Sequence, residues 1–432
     1  MNIAMFTNTY LPQVGGVAKS LERFRPLMEQ RGHEVLIVAP TYEQPHDDTA
    51  NVYRIPAVQK LDGSDFSLAL PVGFDLGEDV DAFDPDIVHS HHPFLLGNSA
   101  LRYASPRNVP LIFTHHTMYE HYTHYVPVEL EPMKDYVIHM ATGYANFTDA
   151  VVAPSKSTAE ILRDRGVRSP IHVVPSGVDI DDYAAGDGNR ARQRLGIPSD
   201  ASLVGTVGRL APEKNLPFLA RAMAEVMSAD RKIWALIVGR GPATEQMQDI
   251  FAETEISDRA RFAGVLEGSE LCDAYHAMDV FAFASKTETQ GMVLVEAMAA
   301  GQPVVALDAP GAREVVDDGN NGRLLESEDV GEFAEAISSV LAASDATGRS
   351  LREAARQTAR RYSTDNCVET MLRVYREVID THDARPQRPD DDATKLGTQV
   401  RREVEIWANR IKSIGQAILA QEQAPWNHHD ET

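Results

Sequence analysis

Two glutamates eight residues apart, Glu288 and Glu296, stand in the run Ser285-Lys286-Thr287-Glu288-Thr289-Gln290-Gly291-Met292-Val293-Leu294-Val295-Glu296-Ala297-Met298-Ala299-Ala300-Gly301. The run follows an apolar strand-like segment and opens a helix. Glu288 falls in the loop before that helix, and Glu296 falls one to two turns inside it. The first amides of such a helix, Gly291 to Leu294, lack intrahelical partners and form an anion site. Gly291 allows a phosphate to approach the backbone closely. Carboxylates beside a phosphate make sense if they accept hydrogen bonds from sugar hydroxyls on either side of a diphosphate. Either glutamate alone would read as part of a solvated helix face; the whole string does not.

A second run, Gly208-Arg209-Leu210-Ala211-Pro212-Glu213-Lys214-Asn215, also sits between a strand and a helix. Arg209 offers a planar fork and Lys214 a point charge, both suited to phosphate oxygens. Surface pairing with Glu213 is the plainer role for this Arg209–Lys214 pair. Val238-Gly239-Arg240-Gly241-Pro242 is a third Gly-rich strand end, weak by itself. In the N-terminal half, Thr9-Tyr10-Leu11-Pro12-Gln13-Val14-Gly15-Gly16-Val17 joins the first strand to the first helix, and Gly15 and Gly16 permit close approach to a ligand. No G-x-G-x-x-G and no G-x-x-x-x-G-K-[ST] occurs, so dinucleotide and P-loop readings fail. Seven histidines, His89, His91, His92, His115, His116, His121 and His124, cluster near strand ends. Without an H-E-x-x-H and without a carboxylate at useful spacing, they suggest hydrogen bonding to a polyhydroxyl substrate and no metal site, with one or two of them satisfied in the core.

These residues must be positioned by strand–helix alternation. Asn2–Thr7, Glu34–Pro40, Asp86–His91, Pro110–His115 and Ala150–Pro154 read as buried strands, and Val17–Arg31 and Ser157–Arg165 as helices. Ser157-x-x-Glu160 has the capping-box pattern. The alternation pauses near Val173–Asp179, and the polar stretch Asp181–Asn189 reads as an inter-domain linker. Strands then recur at Leu203–Gly208, Lys232–Gly239, Arg261–Gly264, Val280–Ala284 and Pro303–Leu307. Helices recur at Asn215–Met227, Gln246–Glu253, Gly291–Ala300 and Val330–Leu341. Such alternation means parallel sheets with crossover helices. The expected α/β architecture is two doubly wound halves facing a cleft, with ligands beyond the carboxyl ends of the strands. The boundaries expected are 1–176, 177–365, a helix over 366–381 that crosses back, and a linker and amphipathic helix over 382–432. Val400, Val404, Trp407, Ile411, Ile414 and Ile418 form an apolar stripe on that last helix, expected to dock on its own protein or a partner subunit, or else on a membrane surface.

The chain has 432 residues, enough for two or three domains. Hydrophobic residues make up 43%, so disorder is not the default. No apolar run is long enough for a membrane span, and Met1–Phe6 reads as a strand rather than a signal peptide. Two distant cysteines, Cys272 and Cys367, exclude a disulfide scaffold and suit a reducing compartment. The formal charge of −23 argues against nucleic acid as a partner. Only nine of the 41 basic residues are Lys; an acidic, Lys-poor surface suits high salt, although drift in a GC-rich genome produces the same bias.

Taken together, the Gly15-Gly16 loop, His116-Thr117, Gly208-Arg209 with Glu213-Lys214-Asn215, and the E-x7-E string resemble retaining glycosyltransferases of family four, over roughly residues 1 to 380. Within that family, Ser90-His91-His92-Pro93-Phe94-Leu95-Leu96-Gly97, Phe113-Thr114-His115-His116-Thr117-Met118-Tyr119-Glu120 and His124-Tyr125-Val126-Pro127 look like the glucosyldiacylglycerol synthase branch. The acidic surface departs from that branch, and residues 382–432 have no counterpart in it. The resemblance implies the GT-B fold, a nucleotide-sugar donor, retention of configuration, and no cofactor or metal. It implies that Arg209 and Lys214 bind the donor diphosphate and that Glu296 holds the ribose. Glu288 would hold the transferred sugar, and Gly291, Met292 and Val293 the distal phosphate, with Gly16 approaching it. Val265 and Leu266 would lie against the base. His116 would contact the sugar near its reacting carbon, so His116, Arg209, Lys214 and Glu288 form the expected catalytic set. Gly15, His92, Tyr119 and His124 are the expected acceptor-side residues.

The expected donor is UDP-glucose and the expected acceptor diacylglycerol or a related lipid. A cytoplasmic location, peripheral at the inner membrane face, and a homo-oligomer through the C-terminal helix accompany that reading. The apolar segment Phe66–Phe74 could meet lipid, or serve in core packing. The alternatives are a family-four enzyme with a soluble acceptor, a GT-B sugar-nucleotide epimerase, and a non-catalytic sugar-nucleotide-binding protein.

Overall fold

The structure is a computed structural model that describes residues 1–13, 15–43, 51–58, 68–69, 77–120, 131–385 and 392–423. His121, His124 and most of the Phe66–Phe74 segment lie outside the described residues. Contacts divide the chain into two units, Met1–Val174 with Val368–Thr432, and Pro175–Cys367.

The first unit runs β1 (Asn2–Phe6), α1 (Gly16–Gln30), β2 (Glu34–Pro40), β3 (Val52–Ile55), β4 (Ala57–Val58), β5 (Leu68–Ala69), α2 (Gly77–Phe83), β6 (Ile87–Ser90), α3 (Leu96–Arg107), β7 (Leu111–Thr114), α4 (Glu131–Ala145), β8 (Ala150–Ala153), α5 (Lys156–Asp164) and β9 (Ile171–Val173). Seven of these strands form one parallel sheet in the order β3-β2-β1-β6-β7-β8-β9. Its strands are near-continuous apolar runs. Every residue of β2 after Glu34 is buried, as expected where helices cover both faces.

The second unit runs α6 (Ile180–Ala184), α7 (Gly188–Leu195), β10 (Ser202–Val207), α8 (Leu216–Ala229), β11 (Ile233–Val238), α9 (Thr244–Glu253), β12 (Ala260–Gly264), α10 (Gly268–Ala277), β13 (Val280–Phe283), α11 (Met292–Ala299), β14 (Val304–Leu307), β15 (Gly322–Leu325), α12 (Val330–Leu341) and α13 (Asp345–Arg361). Its parallel sheet has the order β12-β11-β10-β13-β14-β15. Side chains alternate between two cores. Val204, Ile237 and Val280 pack on one face, and Leu203, Leu236 and Phe281 on the other. Burying each such side chain contributes about 1.5–3 kcal/mol. α14 (Thr364–Asp383) begins in the second unit and continues in the first, followed there by α15 (Asp392–Gln423).

Three local expectations are corrected. The polar stretch Asp181–Asn189 is not a linker. It supplies α6 and the start of α7, capped by Asp179 and Asp187, and the Arg190 guanidinium of α7 pairs with the Asp273 carboxylate of α10 at 2.5 Å. Ser157 does not cap α5. Ser155 does, accepting from the Thr158 amide at 3.1 Å, so the helix starts earlier than the Ser157-x-x-Glu160 spacing suggests. The last helix docks on α3 and α4 of its own unit, one of the expected alternatives, but not through the described part of its apolar stripe. Val400, Val404, Trp407, Ile411 and Ile414 are exposed, while Thr398, Ile406 and Ser413 are buried.

Candidate active site

In each sheet the strand order reverses at one point, between β1 and β6 and between β10 and β13. Loops leaving the carboxyl ends of adjacent parallel strands diverge there, which opens a crevice for ligands. Gly15, Gly16, His89, His91, His92, Arg209, Lys214, Glu288, Gly291 and Glu296 lie at or beside these two points, whereas His115 and His116 follow the neighbouring strand β7 and Val265 and Leu266 follow the edge strand β12.

Around β10 and β13, Arg209 follows the first strand and the Ser285–Gln290 loop follows the second. Arg209 donates to Glu213 Oε1 at 2.5 Å. Lys214 Nζ forms an ion pair with Glu288 Oε1, both side chains being largely buried. The pair joins two sequence runs 74 residues apart. It also answers an electrostatic question, because a carboxylate beside an anion site is tolerable when a lysine already neutralises it. Glu296 is held from another direction: Tyr275 on α10 donates to Glu296 Oε2 at 2.9 Å. Burial first, then the nearby Glu296 carboxylate, raises the Tyr275 hydroxyl pKa well above its ordinary value, so it stays a donor. The Glu288 loop is braced by Thr287, whose hydroxyl donates to Glu213 O, and by Glu328, which accepts from Asn215 at 2.7 Å and pairs with Lys286.

Gly291 caps α11 with φ near +70°, and Leu294 N–H donates to Gly291 O at 2.9 Å. The open helix end is therefore confined to Gly291, Met292 and Val293, one residue shorter than expected. Gly311 packs so tightly that a Cβ there would lie 2.9 Å from the Gln290 carbonyl carbon and 3.1 Å from Glu288 Cβ. The Gln290 side chain accepts from Ser176 N–H at 2.8 Å, leaving its buried Nε2 without a partner among the described residues. Val265 is exposed after β12, whereas Leu266 is half-buried against the core.

The other crevice is built without charge. His89 sits between the Tyr375 and Thr114 hydroxyls, each at 2.6 Å. Its ring lies tilted against that of His91, with centroids 4.1 Å apart. His91 Nδ1 meets His116 Nε2 at 2.9 Å. Burial pushes His89, His92 and His115 down to about 3, His116 down to about 4, and His91 well below 6.5, so all five are neutral near pH 7. In a neutral pair one nitrogen donates and the other accepts. His91 Nε2 is buried with no partner among the described residues. Leaving an acceptor unpaired there costs less than leaving an N–H unpaired. His91 Nδ1–H therefore donates to His116 Nε2, and the His116 proton lies on Nδ1. His92 Nδ1 accepts from Asn8 N–H at 3.1 Å, which places its proton on Nε2.

Gly97 fixes the turn that carries His91 and His92. A Cβ there would fall 1.9 Å from the His92 carbonyl oxygen. Tyr144 OH donates to Gly97 O at 2.9 Å. The Tyr119 ring packs edge-on to Phe94 and His115, with its buried hydroxyl unpartnered among the described residues. Gly15 and Gly16 face open space, since a Cβ on either meets nothing within 4 Å. Their own packing does not demand glycine. Among the described residues, no group of three His, Cys, Asp or Glu could hold a metal ion.

Sequence reasoning missed Tyr275, Tyr375, Gln290 and Gly311. Each acts through a contact made only in the folded chain; Gln290 lies within the E-x7-E run but at a position its spacing does not single out, and the other three lie outside the quoted runs.

Residues 14–182 match Glycosyltransferase Family 4, and residues 187–361 match Glycosyl transferases group 1. The chain is 30% identical over 335 residues to the alpha-monoglucosyldiacylglycerol synthase of Streptococcus pneumoniae, covering 76% of each chain. It is 30% identical to a GDP-mannose-dependent alpha-mannosyltransferase of Mycobacterium tuberculosis over 79% of this chain and 87% of that one. The crystal structure of Anabaena HepE in complex with UDP and glucose superposes with a TM-score of 0.68 at 21% identity, covering 87% of this chain and all of that one.

Proposed function

The chain belongs to glycosyltransferase family four and has the GT-B fold, and from that premise we propose that it transfers glucose from UDP-glucose to a hydroxyl of diacylglycerol or a related lipid. The observation that carries the donor half is the Lys214–Glu288 ion pair beside the open end of α11. It places cations, backbone amides and a hydroxyl-accepting carboxylate together, which is what the anionic phosphates and the hydroxyls of a sugar diphosphate require of a site. Arg209, Lys214 and the amides of Gly291, Met292 and Val293 take the diphosphate. Glu296, oriented by Tyr275, takes the ribose hydroxyls, and Glu288 takes those of the sugar. Val265 and Leu266 flank the base, and Gly16 approaches the phosphate.

The donor already carries a good leaving group, so the barrier lies in separating charge. Preorganised cations and amides at the diphosphate stabilise it as the bond between C1 and the phosphate oxygen breaks. His116, neutral and tautomer-set by His91, offers its Nδ1–H near the reacting carbon. The acceptor oxygen bonds to C1 from the leaving-group face, and its proton passes to a phosphate oxygen, so configuration is retained. This route uses no metal. Gly15, His92, Tyr119 and His124 form the acceptor side. The lipid acceptor is supported by the similarity to the S. pneumoniae enzyme over three quarters of both chains. It implies work at the inner face of a membrane, with peripheral contact. No helix among the described residues is long and apolar enough to cross a membrane.

A second reading is favoured by the M. tuberculosis relative, which the chain matches over 87% of its length. In that case the donor is GDP-mannose and the acceptor differs. The test is incubation at high salt with EDTA, UDP-glucose or GDP-mannose, and diacylglycerol in mixed micelles, scored by mass spectrometry. Glucosylated diacylglycerol is the expected product. Nucleotide release without glycolipid sinks the lipid acceptor, and turnover of GDP-mannose alone sinks the donor.

A further inference from the structure

α15 is amphipathic in the wrong direction for a helix that completes its own fold. It packs on α3 and α4, and several of its contacts there are polar. Arg102 forms an ion pair with Glu403, Arg402 donates to Ser105 Oγ at 2.9 Å, and Asn409 donates to Met140 O at 3.2 Å. Thr398, Ile406 and Ser413 are buried on this side. About 160° around the helix, by its 3.6-residue turn, the other face carries Val400, Val404, Trp407, Ile411 and Ile414. These five are 50–66% exposed and are the exposed large hydrophobics of the described chain apart from Val265. Contiguous exposed apolar surface of this kind marks an interaction site.

The spacing says what kind. The steps between the five residues are four, three, four and three, and the sequence adds a further step of four to Ile418. That is the heptad period of a coiled-coil seam. The described stripe spans only about 80° of the helix, narrower than the broad apolar face of a helix lying in a membrane interface. Beside the seam, Glu403 and Arg410 lie on the same flank, seven residues apart. In an antiparallel pair of such helices these positions face each other across the seam. Glu403 of each copy, already paired with Arg102 of its own chain but still 40% exposed, then also meets Arg410 of the other, twice over. In a parallel pair Glu403 would face Ala408 instead, and no charge pair forms. The segment from Arg401 to Lys412 carries Arg401, Arg402, Arg410 and Lys412 against Glu403 and Glu405. Its local charge, four basic minus two acidic residues, is small beside the chain's −23, so two copies meet there with less like-charge repulsion than their acidic surfaces would otherwise exert.

We infer that α15 is the self-association element of this protein, pairing antiparallel with α15 of a second copy through Val400, Val404, Trp407, Ile411 and Ile414. In that register Val404 packs against Trp407 of the other copy, and Val400 against Ile411. The inference does not depend on which sugar or acceptor is used.

The test is sedimentation velocity on the full chain and on Ile411→Glu and Trp407→Glu. Because these residues are exposed in the single chain, the variants should keep its melting temperature. The wild type should be dimeric at micromolar concentration, and Ile411→Glu should weaken dimerisation by about 100-fold or more. A wild type that stays monomeric at about 100 μM overturns the inference, as does a dimer that both variants leave intact. Flotation with vesicles of anionic phospholipid separates the rival occupant. Wild-type protein that is monomeric in solution but floats, with flotation lost in Ile411→Glu, assigns the face to a membrane and overturns the inference. Orientation is read by disulfide trapping. Val400→Cys protein mixed with Ile411→Cys protein should cross-link, and Val400→Cys alone should not; the reverse result overturns the antiparallel register.

Discussion

The crevice at β10 and β13 and the crevice at β1 and β6 occupy the same topological position in their sheets and are built from opposite materials. The first is a set of ion pairs: Arg209 with Glu213, Lys214 with Glu288, Lys286 with Glu328. The second is a set of neutral imidazoles and hydroxyls: His89 with Tyr375 and Thr114, His91 with His116. The difference teaches where charge is handled. Ion pairs that keep partial solvent access can exchange partners, so a lysine released from a glutamate can meet a phosphate. Buried neutral histidines cannot receive a formal charge cheaply, but they can hold a donor or acceptor in one orientation. Under the proposed function, the diphosphate and the sugar hydroxyls held by Glu288 belong to the first crevice and the acceptor hydroxyls to the second.

The comparison breaks most visibly at Lys214. Lys214→Ala should lower kcat/KM by about 1,000-fold, the scale of a lost oxyanion donor, and Arg209→Ala should approach it. Released nucleotide measures both. Near-normal turnover in Lys214→Ala would mean that its pairing with Glu288 is only structural.

The next effect is on stability, and it falls on the histidine crevice. Gly97→Ala drives a methyl group into the His92 carbonyl, so backbone must move. A cost of about 1–3 kcal/mol is expected, seen as a lower melting temperature with the β6 turn losing hydrogen-exchange protection. Gly16→Ala, which meets nothing, should leave stability nearly unchanged.

Acid should separate the two crevices as well. The five histidines have folded pKa values below the unfolded 6.5, so between that value and about 3–4 the unfolded chain binds more protons than the folded one. Stability contributed by their neutral burial is complete above about pH 6.5 and is lost as pH falls toward 4. Hydrogen exchange at pH 7 and at pH 5 should show protection falling first around β6 and β7. Uniform loss across both units would contradict the assignment of neutral histidines to one of them.

The smallest effect expected is at Tyr275. Tyr275→Phe removes one hydrogen bond to Glu296 and little volume, so a rise of about tenfold or less in donor KM is expected, with kcat largely kept. An unchanged KM would detach Glu296 from the donor.

The alternation of strands and helices was legible because it rests on period-two and period-3.6 patterns within single segments. Glu34–Pro40 and Val330–Leu341 match their sequence-derived bounds. The placement of the E-x7-E run was legible for the same reason, since Glu288 in the loop and Glu296 in the helix follow from local spacing. What failed was local competition and long-range pairing. Ser155 outcompeted Ser157 for the cap because helix geometry began two residues sooner. Asp181–Asn189 looked like a linker because its helices are short and their support comes from α10, 80 to 90 residues later.

The amino-acid sequence by itself determined that this chain forms two parallel α/β sheets and that glycines, cations, carboxylates and histidines gather near their strand ends. It also determined that α15 has an apolar stripe. Tertiary structure alone decided that Lys214 answers Glu288 and Tyr275 answers Glu296. It also decided that His91 sets the proton of His116, and that the stripe of α15 points away from its own protein. The reason is that periodicity reports which residues share a face, while the partner a face meets depends on surfaces brought together from distant parts of the chain.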